Sequence, residues 1–191
     1  MHMQQDLKSG VLSYEEYGNI RDDYNRKVVE IEKKRRVSTR TFTFLFETRE
    51  TVLNQINEMI YLEKITSGKE IDALVEIYSS LLPDSRSLSV SMFIDISDPE
   101  TLARSMVPLS GVEKEVYLVF DGSEIHADYE EGRSTDTLES TLQYLRFNFT
   151  PDTAARFRSS RHAFIECRKK GYEEAAGVPA ELLGILKSEI S

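Results

Sequence analysis

Apolar residues along this chain recur at two different periods. Tyr17, Ile20, Tyr24, Val28 and Ile31 are three or four apart, which places them in one sector of a helix. Ser13-Tyr14-Glu15-Glu16 precedes them as a capping box, in which Ser13 accepts from the Glu16 amide while the Glu16 carboxylate reaches back. Together they predict a long amphipathic N-terminal helix over 13–36. In TFTFLF, residues 41–46, Phe42, Phe44 and Phe46 alternate with Thr41, Thr43 and Leu45, the period of a strand. The pattern then turns helical over 49–65. Ser67-Gly68-Lys69-Glu70 reads as a second capping box that opens a helix running to Leu82, where Pro83 ends it.

Downstream, the alternation of Leu88, Val90, Met92, Ile94 and Ile96 in 88–96 is the clearest strand signal. Ser97-Asp98-Pro99-Glu100 caps a short helix, with proline where its missing amide does no harm. Asp121-Gly122 centres a hairpin over 115–129, because a two-residue turn demands positive φ there. That register sets Leu118 opposite Ile125 and Val116 opposite Ala127 on a buried face, with Tyr117 opposite His126 on the other. A polar loop over 130–139, a strand over 140–149, a helix from Thr150-Pro151, a strand over 162–168 and a helix after Pro179 complete the reading. About six strands joined by hairpins and capped helices, without regular βαβ alternation, predict an α+β domain on a mainly antiparallel sheet. One domain is expected over 1–191, with the N-terminal helix as an appendage or a homodimer contact.

Composition narrows the partners. The 191 residues are 40% hydrophobic and 30% charged, and no run approaches the roughly 18 apolar residues of a membrane span. A formal net charge of -9 repels phosphate backbones and anionic lipid, so no nucleic acid and no membrane is expected as partner. The basic run Lys33-Lys34-Arg35-Arg36 reads as cations opposing the negative end of the first helix. Cys167 is the only cysteine, which excludes an internal disulfide and implies a cytoplasmic protein. The start, MHMQQDLKSG, lacks the apolar run of a signal peptide, and Met1-His2 reads as a cloning remnant before Met3.

Candidate chemistry gathers in FETRETVLNQINEMIYLEKI, residues 46–65. At roughly 100° per residue, Val52, Ile56, Met59 and Ile60 share one sector and Glu63 projects into the middle of it, while Gln55 and Glu58 lie on the flank. Glu47 shares parity with Thr43 and Leu45 and so points away from the phenylalanine face. Glu47, Glu58 and Glu63 thus lie in one strand-to-helix unit with Arg49 at the corner. Held close, they would bind a cation or work as an acid-base pair. The plainer alternative is that Arg49 and Arg146 neutralise them in a structural network. Neither phosphate loops nor paired metal-ligand histidines occur. His126 reads as an exposed neighbour of Tyr117, and Cys167 as a core thiol.

The same stretch resembles an uncharacterised bacterial family catalogued as domain of unknown function 3501. Phe46, Glu47, Arg49, Thr51, Val52, Gln55, Glu58, Met59 and Glu63 carry the resemblance, with Gln143 to Phe147 (QYLRF) and Glu15 to Tyr17 (EEY). A departure is Lys169-Lys170-Gly171-Tyr172, where relatives tend to have a histidine-proline step before the tyrosine. Family genes often accompany those of rubrerythrin-like proteins and iron-sulfur oxidoreductases. The resemblance therefore implies a non-enzymatic accessory protein that binds a partner in redox or peroxide metabolism. The alternative is a carboxylate-lined metal or small-molecule site around Glu47, Glu58 and Glu63. No cofactor and no reaction follow from the residues.

Overall fold

The computed structural model describes residues 7–130 and 141–191. The predicted loop over 130–139 lies, apart from Glu130, outside the described residues. Two compact units are present: one takes in residues up to Lys34 and Glu47–Pro83, the other Arg35–Phe46 and Asp84–Ser191.

The first unit is helical. Helix α1, Tyr14–Lys33, opens on the predicted capping box, with Ser13 and Glu16 bonded reciprocally. Of its expected stripe, Tyr17 and Val28 are buried but Ile20 is 45% exposed, so the packed seam is narrower than the periodicity predicts. Helix α2, Arg49–Leu62, starts on a capping box that the sequence reading overlooked, Thr48 with Thr51 in place of the usual acid. It buries Val52, Ile56 and Ile60 as predicted, and packs against α1. Helix α3, Gly68–Ser79, begins after Ser67, but the Ser67 hydroxyl does not accept the expected capping bond, and the helix ends before Leu82.

The second unit holds all nine described strands: β1 (Arg36–Ser38), β2 (Phe42–Phe46), β3 (Ser87–Ile94), β4 (Val116–Phe120), β5 (Ser123–His126), β6 (Asp128–Tyr129), β7 (Leu142–Asn148), β8 (Ala163–Cys167) and β9 (Glu174–Gly177). They form two antiparallel sheets, five strands in the order β1-β2-β3-β7-β6 and four in the order β5-β4-β8-β9. The α+β class and antiparallel pairing hold. The single sheet of about six strands does not. The overlooked strands β1 and β9 are three and four residues long, too short to carry a periodic signal, and β6, at the end of the predicted hairpin, pairs instead with β7 of the five-stranded sheet.

Phe42, Phe44 and Phe46 of one sheet share a core with Leu118, Ile165 and Cys167 of the other. Helices α4 (Pro99–Ser105), α5 (Pro151–Ser159) and α6 (Ala180–Glu189) belong to this unit, and α5 and α6 contribute Phe157, Leu182 and Leu186 to that core. Asp98 caps α4 and Thr150 caps α5, at the two helix starts that the sequence predicts. The hairpin forms in the predicted register, with Asp121 at φ 41° and Gly122 at φ 81°. On β3, however, the polar alternates Ser87, Ser89 and Ser91 are as buried as the apolar ones.

The basic run is divided by this architecture. Lys33 ends α1, whereas Arg35 is 5% exposed and donates to the Phe46 carbonyl at 2.7 Å and to both Glu189 oxygens at 2.8 and 2.9 Å. Arg35 is therefore a buried structural cation rather than a helix-end charge.

Candidate functional site

The densest polar arrangement is in the helical unit, and its centre is Glu58. Tyr17, Arg21 and Asn25 are four apart on α1, so they line one edge of its packed seam and face the flank of α2. The Tyr17 hydroxyl donates to Glu58 Oε1 at 2.7 Å, and Asn25 Nδ2 donates to the same oxygen at 2.7 Å. Arg21 closes a two-pronged pair, Nε to Oε1 at 2.9 Å and Nη2 to Oε2 at 2.8 Å. Asn54 Oδ1 lies 2.8 Å from the Tyr17 hydroxyl.

Electrostatics follow from that geometry. The Arg21 hydrogen bonds, joined by those from Asn25 and Tyr17, outweigh the cost of burial and hold the Glu58 carboxyl down at about 2, against an ordinary 4.5. Burial, and then the adjacent Glu58 carboxylate, push the Tyr17 phenol well above its usual range. At neutral pH the pair is thus carboxylate and phenol. Both groups sit far from the pKa near neutrality that proton transfer needs, so the arrangement is suited to fastening two helices.

Aromatic rings continue the network outward. Tyr61 stacks on Tyr14 with centroids 5.1 Å apart, and the Arg21 guanidinium lies 4.9 Å from the Tyr61 ring centre. Gly18 makes room for this: a Cβ there would sit 3.0 Å from the Tyr61 ring.

Of the six predicted site residues, the structure joins Gln55 to Glu47 and ties Glu58 to the first helix. Glu58 is neutralised by Arg21. Glu47 is 1% exposed and accepts from the Thr51 hydroxyl and from Gln55 Nε2, the latter at 3.0 Å. Gln55 is thereby joined to Glu47. Glu63 does not project into a buried sector as the helical wheel predicts: it is the C-cap of α2 and is exposed, beyond the buried Ile60. Arg49 is the first residue of α2. Arg146 belongs to β7 in the other unit, where it donates to Ser87 Oγ and lies 3.7 Å from an Asp84 oxygen. Among the described residues no three acids, histidines or cysteines come together as a metal would require.

The partners of Glu58 that the sequence reading missed, Tyr17, Arg21 and Asn25, could have been found only in part. Tyr17 stood in the predicted seam and Arg21 four residues on, but nothing local ties either to α2.

A second grouping lies on one face of the four-stranded sheet. Tyr117 stacks on His126 with centroids 4.6 Å apart, as the predicted hairpin requires, and the Arg168 guanidinium lies 4.1 Å from the Tyr117 ring centre. Arg168 also pairs with Glu124 at 2.8 Å and Glu166 at 3.0 Å. Phe164, one cross-strand row away, is 45% exposed.

The model of the family described as protein of unknown function (DUF3501) matches residues 7–190. The chain belongs to that family. A crystal structure of a novel protein of unknown function from Burkholderia pseudomallei is similar to it, at 26% identity and a TM-score of 0.86 over 95% of this chain and 96% of that one. None of the curated proteins matches. The correspondence thus extends over both units of this DUF3501 member. No helix among the described residues is long and apolar enough to cross a membrane.

Proposed function

We propose that this DUF3501 protein is a non-enzymatic accessory protein of the bacterial cytoplasm that docks a protein partner on the exposed face of its four-stranded sheet. The observation that carries the reading is the ridge of Phe164, Tyr117, His126 and Arg168. Aromatic residues and arginine are the side chains that protein interfaces concentrate, because they bury much area for few frozen torsions. The partner proposed is a rubrerythrin-like protein or an iron-sulfur oxidoreductase, on the family resemblance. Its docking surface would be apolar, since the Glu124 and Glu166 carboxylates already satisfy Arg168.

The alternative carboxylate site draws less support. Glu58 is saturated by Arg21, Asn25 and Tyr17, and Glu63 faces solvent. Copurification with the tagged full chain, read by mass spectrometry, tests the proposal. An oxidoreductase or rubrerythrin-like protein is expected with the wild type and is lost with Tyr117→Ser. Recovery of the chain alone, or binding indifferent to Tyr117→Ser, overturns it.

A further inference from the structure

Sheet edges differ in how well they are guarded, and among the described residues β9 carries the least side-chain protection. In an antiparallel ladder, residues alternate between bonding inward to their neighbour and presenting N–H and C=O outward. The Val178 amide bonds to the Ala163 carbonyl at 2.8 Å, which sets the phase: Ala176 and Glu174 bond inward to β8, and Ala175 and Gly177 turn their backbone groups to the free edge. Among the described residues these four groups have no ladder partner, and both residues are exposed.

The other edges carry the usual protection. On β5 the outward positions are Glu124 and His126, β1 brings Arg36, and β6 is two residues long and includes Asp128. On β9 they are alanine and glycine. The strand is also held firmly, since Glu174 accepts from the Thr41 amide at 2.9 Å and from its hydroxyl at 2.6 Å.

We infer that β9 pairs antiparallel with β9 of a second copy, joining two four-stranded sheets into one continuous sheet across a twofold axis at Ala176. The strand is complementary to itself in that register. Ala175 of each copy falls opposite Gly177 of the other, and each such pair exchanges both of its backbone bonds. Glu174 falls opposite Val178, so acid never meets acid. The Phe164 ring, 3.6 Å from where a Gly177 Cβ would be, lies in the same cross-strand row and would cover Ala175 of the second copy.

This inference does not rest on the partner reading, although Phe164 takes part in both. It is tested by sedimentation velocity of the full chain over a concentration series, with Ala175→Pro and Ala175→Lys. Proline at 175 removes only an outward amide, so the β8 ladder survives, and lysine keeps the amide but places a charge at the edge. A monomer–dimer equilibrium is expected for the wild type, weakened at least about tenfold by either change, with circular dichroism unaltered. A wild type that stays monomeric up to its solubility limit overturns the inference, as does a dimer indifferent to both substitutions. Partner capture by Ala175→Pro protein separates the two proposals, because the docking residue Tyr117 is untouched.

Discussion

Glu58→Gln isolates the charge at the centre of the helical unit while nearly preserving shape. In the wild type the carboxylate receives hydrogen bonds from Tyr17, Asn25 and both prongs of Arg21. Charge-assisted bonds of this kind contribute roughly 1.5–3 kcal/mol each when fully sheltered. Here the Arg21 and Glu58 side chains keep 34% and 21% of their exposure, and the arginine can rehydrate. Glutamine can still accept from the buried Tyr17 hydroxyl, but its own amide would face the guanidinium. The net loss expected at neutral pH is about 2 kcal/mol.

The pH dependence has a definite sign. The folded carboxyl titrates at about 2 and the unperturbed one at 4.5, so its stabilisation is complete above about 4.5 and fades as pH falls toward 2. Glutamine does not titrate. The gap between wild type and variant should therefore shrink through that acid window and stay constant above it. Urea titrations followed by helical circular dichroism, at neutral pH and in steps downward, measure the gap. A variant within about 0.5 kcal/mol of wild type at neutral pH, or a gap unchanged down to pH about 3, would refute the account of Glu58.

Two further outcomes are expected. Arg35→Met leaves the Glu189 carboxylate and the Phe46 carbonyl without their buried donor, and should cost about 2–4 kcal/mol in the same titrations; a cost below about 1 kcal/mol would show the pair to be dispensable. Cys167 is 2% exposed and burial raises its thiol to about 11, so a thiol-specific reagent at neutral pH should label unfolded but not native protein; rapid native labelling would contradict that burial.

The functional reading depended on separations that local rules do not reach. The stretch FETRETVLNQINEMIYLEKI promised a cluster because its acids are near one another in sequence. Glu47 accepts from Thr51 and Gln55, four and eight residues on, while Glu58 bonds across to α1, to a tyrosine 41 residues earlier. Glu63 failed for a different reason. A helical wheel assigns a direction but not a neighbour: Glu63 is still helical in backbone as the C-cap of α2, yet the buried face ends at Ile60 and Glu63 reaches solvent. Arg35 was misread because a run of cations at a helix end looks alike whether the next residue is solvated or buried.

Local chemistry determined much by itself. The capping boxes at Ser13 and Thr150, the Asp98-Pro99 helix start, the Asp121-Gly122 turn and the phenylalanine alternation of β2 each involve residues within a few positions of one another. Backbone bonding and steric preference act over that range, and the chain can be read for them directly. Only the tertiary structure decided that the strands divide into two sheets, that the serines of β3 are buried, and that Glu58 meets Arg21. Those outcomes depend on which surfaces come to face each other, a property of packing among elements far apart along the chain.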